Sequence, residues 1–146
     1  MVKNNDQAYP IPAVRALIAN GQGQVLLLKR ANTNYGNNLW CLPGGKVEIG
    51  QTVAEALANE LAEELSVRLV SAQFFFYQDR LPLEPSGLHC INFYFRCEVK
   101  GTLAMNEESA DFAWIGLEDV SDYEITFRNE EAIRLHYGSG ALLNIP

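Results

Sequence analysis

Residues 44–67 limit what this chain can become more than any other stretch does. Two glycines, Gly44 and Gly45, lead through a short loop into a helix that ends with Glu60, Glu63 and Glu64. Thr52-Val53-Ala54-Glu55 is a capping box and marks the helix start. Separations of three and four residues place the three carboxylates on neighbouring positions of one helical face. Like charges so placed repel, which costs stability unless a cation sits among them. Hard divalent cations take oxygen ligands of this kind. The cluster reads as a metal site.

Helical geometry sharpens that reading. At about 100° per residue from Val53, the apolar residues Leu57, Leu61, Ala54, Leu65 and Ala58 span roughly 40° to 140°. Glu64 falls near 20°, Glu60 near −20° and Glu63 near −80° on the same wheel. Glu64 therefore sits at the edge of the buried stripe, whereas an ordinary solvated acid such as Glu55 lies on the far side. Ser66 stands where glycine commonly closes a helix in the left-handed conformation, at an expected cost of about 1 kcal/mol.

From Gly45 to Val67 the sequence resembles the signature of the Nudix hydrolases, Gly-x5-Glu-x7-Arg-Glu-U-x-Glu-Glu-x-Gly-U, where U is aliphatic. Gly45, Glu60, Leu61, Glu63, Glu64 and Val67 match in register. Gln51, Asn59 and Ser66 stand where the pattern has Glu, Arg and Gly. A looser likeness extends over Leu26–Arg30, Trp40–Pro43 and Glu107-Glu108 upstream of Trp114. The resemblance implies an α/β/α sandwich with a mixed β-sheet between helices. It also implies a Mg²⁺- or Mn²⁺-dependent hydrolase of a nucleoside diphosphate linked to another group. Nucleotide sugars, ADP-ribose-like compounds and (deoxy)nucleoside triphosphates are all open.

Carried over position by position, the resemblance assigns metal binding to Glu60, Glu63 and Glu64, with a backbone-carbonyl contact at Gly44. Arg30 becomes the phosphate contact, with Lys46 a second candidate. The general base is either Glu60 on the helix or Glu108 from the later loop, with Glu107 as alternative. A pyrophosphate bond demands such a set: its charged oxygens must be neutralised, and a water must be placed in line and deprotonated. Gln51 and Asn59 are expected to face each other as an amide pair replacing the family's ion pair. Loss of both charges also opens a rival reading, a catalytically weakened Nudix-fold domain that binds nucleotides or regulates. Tyr9, Tyr35, Trp40 and Phe76 are available to stack on a nucleobase. His89 and His136 read as packing or surface residues.

The rest of the chain sets bounds. Its 146 residues suit a single domain over 1–146, with 1–10 a flexible N-terminal segment. A net charge of −7 argues against nonspecific nucleic-acid binding but not against a small phosphorylated substrate held with cations. No apolar run is long enough to span a membrane, and no secretory signal opens the chain. Cys41, Cys90 and Cys97 suggest neither a disulfide framework nor a zinc site. A cytoplasmic protein is expected, and association into a homodimer is left open. Val14–Ile18 and Gln24–Lys29 flank a turn at Asn20–Gly23 and read as a hairpin. Further strands are expected over residues 68–79, 89–99 and 111–115, and a second helix over residues 127–137. Together these give an α/β or α+β fold.

Overall fold

The computed structural model describes residues 9–33, 36–82 and 87–138. Tyr35 and all but Tyr9 and Pro10 of the expected N-terminal segment lie outside them. Among the described residues, seven strands and two helices follow in the order β1 (Ile11–Ile18), β2 (Val25–Arg30), β3 (Trp40–Cys41), β4 (Gly44–Lys46), α1 (Val53–Leu65), β5 (Arg68–Arg80), β6 (Cys90–Lys100), β7 (Ser109–Ile115) and α2 (Asn129–His136). A 3-10 turn, Leu117–Asp122, precedes α2. The middle layer is divided into two sheets, a mixed one ordered β4-β1-β6-β5 and an antiparallel one ordered β3-β2-β7. Among the described residues no helix is long and apolar enough to cross a membrane.

The expected hairpin is a hairpin only at its turn. Asn20 N–H donates to Gln24 O and Gly23 N–H to Asn20 O, and a single bridge joins Ala19 to Val25. Beyond it the chain parts: β1 pairs with β4 and, in parallel, with β6, while β2 pairs with β3 and β7. Both strands are apolar on both faces, which suits central strands covered from either side. Val14, Ala16, Ile18, Leu26 and Leu28 join Leu57, Leu61 and Leu65 of α1 in one core. Leu17, Val25 and Leu27 join Tyr94 and, from α2, Ala132 and Ile133 in the other. Helices therefore cover opposite sides of the strand layer.

The short segments around Pro43 are strands rather than loop. Gly44, Gly45 and Lys46 pair with Arg15, Val14 and Ala13, so the glycines are part of a sheet edge. In β6 the buried members of the first half are Cys90, Asn92 and Tyr94, the more polar of the two alternating sets. They are paid for by hydrogen bonds. Asn92 Nδ2 and Tyr94 O–H both donate to Gln78 Oε1, at 3.2 and 2.9 Å, and Asn129 Nδ2 donates to Tyr94 Oη at 3.1 Å. Asn129 Oδ1 in turn accepts from Leu42 N–H at 2.9 Å. This buried network joins β5, β6, the β3–β4 segment and the start of α2.

Helix α1 has its capping box, and Ser66 ends it at φ 59°, ψ 31°. Serine pays a steric penalty there that glycine escapes. Ser66→Gly is expected to stabilise the protein by about 0.5–1 kcal/mol, read as a rise in thermal midpoint. No rise would mean that the turn is relaxed as it stands.

Candidate active site

The buried arc of α1 is wider than the stripe read from the sequence. Ala56, Leu57, Leu61 and Leu65 are buried, whereas Ala54 is exposed and Ala58 only partly covered. With Ala56 near −60° on the wheel and Leu65 near 120°, Glu60 and Glu64 fall inside the covered arc and not at its edge. Glu63, near −80°, lies just outside. It is exposed and does not line the cleft described next.

Glu60 and Glu64 line a cleft of about 390 Å³ together with Gly44, Gly45, Lys46, Arg30 and Glu108. Of the residues expected to bind metal or phosphate or to act as base, the structure thus brings together all but Glu63 and the alternative base Glu107. Gly44 N–H donates to Glu64 Oε1 at 2.9 Å, which ties the β4 edge to the helix. Gly45 lies against Glu60 so closely that a Cβ there would stand 2.5 Å from the carboxylate. Glu108 is exposed on a loop fixed at both ends of its reach. Its carbonyl accepts from Ala31 N–H at the end of β2, and Asn106 N–H donates to Glu64 O at the end of α1. Glu107 is also exposed but does not line the cleft.

Electrostatics single out the same pair. Burial, then the nearby Glu63 charge, pushes Glu60 from its ordinary 4.5 to about 7. Glu64 is pushed to about 8, chiefly by burial, with Glu60 and Glu108 adding to the rise and Arg15 and the Gly44 N–H opposing it. Two desolvated acids facing further acids want positive charge. The donors are oxygen alone, which suits a hard divalent ion. Among the described residues no three His, Cys, Asp or Glu side chains stand close enough to hold a metal as they are. A cation bound by this pair would take its remaining ligands from backbone carbonyl, water or substrate.

The amide pair does not form. Gln51 Oε1 accepts from Glu48 N–H at 2.8 Å and closes its own loop, while Asn59 is exposed. A neutral amide suffices for that loop bond, so the departures at these two positions leave the acids in place. The stacking candidates are otherwise employed. Phe76 is buried and stacked on Tyr94, and Trp40 packs edge-on against Tyr123. Tyr9 is exposed and, like them, does not line the cleft. His136 Nδ1 accepts from Arg96 Nε at 3.1 Å, a packing role as expected. All three cysteines are buried, and burial raises the thiols of Cys41 and Cys97.

Among the cleft residues that sequence reasoning missed are Arg15, Arg80 and Phe127. Arg15 had a signal: it is the one charge inside the otherwise apolar Ile11–Ile18 strand. Phe127 and Arg80 are distant in sequence from the signature and had none.

A family model of the NUDIX domain matches residues 10–136. The chain belongs to the Nudix family. It is a Nudix-type pyrophosphohydrolase, and relatives support that assignment. The nucleoside triphosphatase NudI of Klebsiella pneumoniae subsp. pneumoniae is 34% identical over 119 residues, covering 75% of this chain and 84% of that protein. The MutT protein from Methanosarcina mazei is similar in structure, with a TM-score of 0.78 at 25% identity over 91% of this chain and 97% of that one. A MutT Nudix hydrolase from Burkholderia pseudomallei shares the fold, with a TM-score of 0.72 at 23% identity, covering 91% and 99%. In this Nudix hydrolase the signature helix is α1, and its acids form one wall of the cleft.

Proposed function

We propose that this Nudix hydrolase cleaves a pyrophosphate linkage of a nucleoside triphosphate with Mg²⁺ or Mn²⁺ held at Glu60 and Glu64. The observation that carries the reading is the pairing of these two desolvated acids with arginines in one cleft. The likeness to NudI, a nucleoside triphosphatase, favours a triphosphate over the nucleotide sugars and ADP-ribose-like compounds that the signature also allows.

Each residue's part follows from its place. Gly44 N–H fixes one oxygen of Glu64, and the other oxygen makes no hydrogen bond among the described residues. Glu60 is held against Gly45, and the Gly44 carbonyl completes the protein's share of the ligand set. Glu63, exposed and off the cleft, acts through its charge on Glu60. A divalent cation held there would supply charge neutralisation at the phosphate oxygens and would ease deprotonation of the attacking water. Glu108, exposed across the same cleft, takes the water's proton. Arg30 and Lys46 hold phosphate oxygens.

The acids also dictate a pH signature. A carboxyl whose folded-state pKa is raised binds more protons folded than unfolded, so stability falls as pH rises from 4.5 toward the folded values of about 7 and 8. A divalent cation needs the deprotonated forms and restores the loss. Thermal unfolding should therefore show little stabilisation by Mg²⁺ or Mn²⁺ near pH 5. Near pH 8 the expected gain is about 2.7 kcal/mol at a hundredfold excess over Kd. The companion measurement is hydrolysis of a panel of nucleoside triphosphates, nucleotide sugars and ADP-ribose with either metal. No stabilisation near pH 8, or no turnover of any triphosphate, would overturn the proposal.

A further inference from the structure

Three guanidinium groups converge on one ring in the cleft. The central carbons of Arg15, Arg30 and Arg80 stand 4.9, 4.7 and 5.2 Å from the centroid of Phe127. All four residues line the cleft. A phenyl ring has two faces, and cations within about 6 Å of it are held by its quadrupole. With three cations around it and only 8% of its surface exposed, Phe127 has no face left for a nucleobase. It is a support for cations.

The support is held in place against strain. Phe127 and Arg128 are consecutive left-handed residues, at φ 60° and 57°, a conformation that is strained for any residue but glycine. Asn129 Nδ2 donates to Phe127 O at 3.2 Å, and Gln78 Nε2 to Arg128 O at 3.1 Å. Arg128 is further fixed by its bidentate pair with Glu131. The buried network of β5 and β6 thus ends at this turn and holds the ring among the arginines. Strain maintained by the surrounding structure is a pointer to function.

Charge gives the function its direction. Arg15 Nη1 donates to Leu42 O at 2.9 Å, and its buried Nε has no partner. Arg80 Nη1 reaches Leu88 O at 3.4 Å. Both arginines bond only backbone carbonyls, and neither forms an ion pair among the described residues. Three guanidiniums gathered on one ring repel one another and are matched by a multiply charged anion, and their forked donors fit phosphate oxygens.

We infer that Arg15, Arg30 and Arg80, gathered on Phe127, form a subsite for the terminal phosphates of a polyphosphate tail. This subsite makes the enzyme prefer a nucleoside triphosphate to a nucleoside diphosphate joined to a neutral group. The inference rests on the nucleotide reading of the cleft and deepens it by assigning what selects the substrate.

Arg80, half-buried at the end of β5, is the residue to change, since Arg80→Gln leaves the core untouched. Two measurements decide the matter. In calorimetry with inorganic tripolyphosphate, the wild type should bind and Arg80→Gln should bind roughly 10- to 100-fold more weakly, the loss of charge-assisted hydrogen bonds. In kinetics, the ratio of kcat/KM for a triphosphate over a nucleotide sugar should fall by a similar factor, with Arg80→Lys restoring part of it. Phe127→Leu, which removes the ring but keeps the arginines, should shift the same ratio in the same direction. Unchanged tripolyphosphate binding in Arg80→Gln, no binding by the wild type, or an equal fall on both substrates would overturn the inference. If the wild type hydrolyses no nucleotide, the proposed function fails, and the tripolyphosphate measurement still decides the subsite.

Discussion

Glu64→Gln is expected to lower turnover by roughly 10²- to 10⁴-fold, the rate equivalent of several kcal/mol of charge stabilisation supplied through a metal. Glutamine has the same shape, and its amide oxygen can still accept the Gly44 N–H bond. The fold should therefore survive. It should even gain: near pH 8, without metal, the wild type carries a desolvated carboxylate whose pKa is pushed to about 8, and the variant does not. Metal-free Glu64→Gln should thus unfold at the same temperature as the wild type or higher, and the metal should stabilise it far less. Loss of activity with equal or greater stability is the signature of a residue kept for chemistry at a cost to the fold. Glu108→Gln should separate from it by losing turnover while keeping the stabilisation by metal. Near-normal turnover of Glu64→Gln at limiting Mg²⁺ would remove Glu64 from the metal site.

The acids were legible because a helix imposes its period on sequence. Thr52, Leu57, Leu61 and Leu65 locate α1 and its buried side without any tertiary information. Even so, the wheel put Glu64 at the edge of the buried arc, because the arc was drawn through Leu57, Ala54, Leu61, Leu65 and Ala58 and left Ala56 out. Ala56 and the β4 edge extend the cover on that side. Strand pairing was less legible. Nothing local in Val14–Lys29 says that the two arms of one turn belong to different sheets; their partners, β6 and β7, come 79 to 90 residues later in the register. The arginine wall was invisible for the same reason. Arg15, Arg30, Arg80 and Phe127 come from four separate elements or turns, and only the assembled sheets bring them to one ring.

The neighbouring glycines should separate fold from site. Gly44 has φ 154°, and a Cβ there would stand 1.9 Å from Val14 O. The clash is with backbone, in a strand paired to both β4 and β6, so no side chain can rotate away to relieve it. Gly44→Ala must either break the β1–β4 pairing or bear a conformation reserved for glycine, at about 1–3 kcal/mol for the dihedral alone. With the steric displacement added, a loss of about 4 kcal/mol is expected, at the upper end for single substitutions. That is a large share of a typical total of about 5–15 kcal/mol. Gly45 differs although its added Cβ also meets an obstacle at 2.5 Å, because the obstacle is the Glu60 carboxylate, the far end of a flexible side chain. Gly45→Ala should fold with nearly wild-type stability and lose turnover, since Glu60 is forced off the cleft wall. Denaturant unfolding and metal titration of both variants check the contrast. If Gly44→Ala is as stable as Gly45→Ala, the β4 edge yields more readily than its pairing implies. If Gly45→Ala keeps full activity, Glu60 is not held where the chemistry needs it.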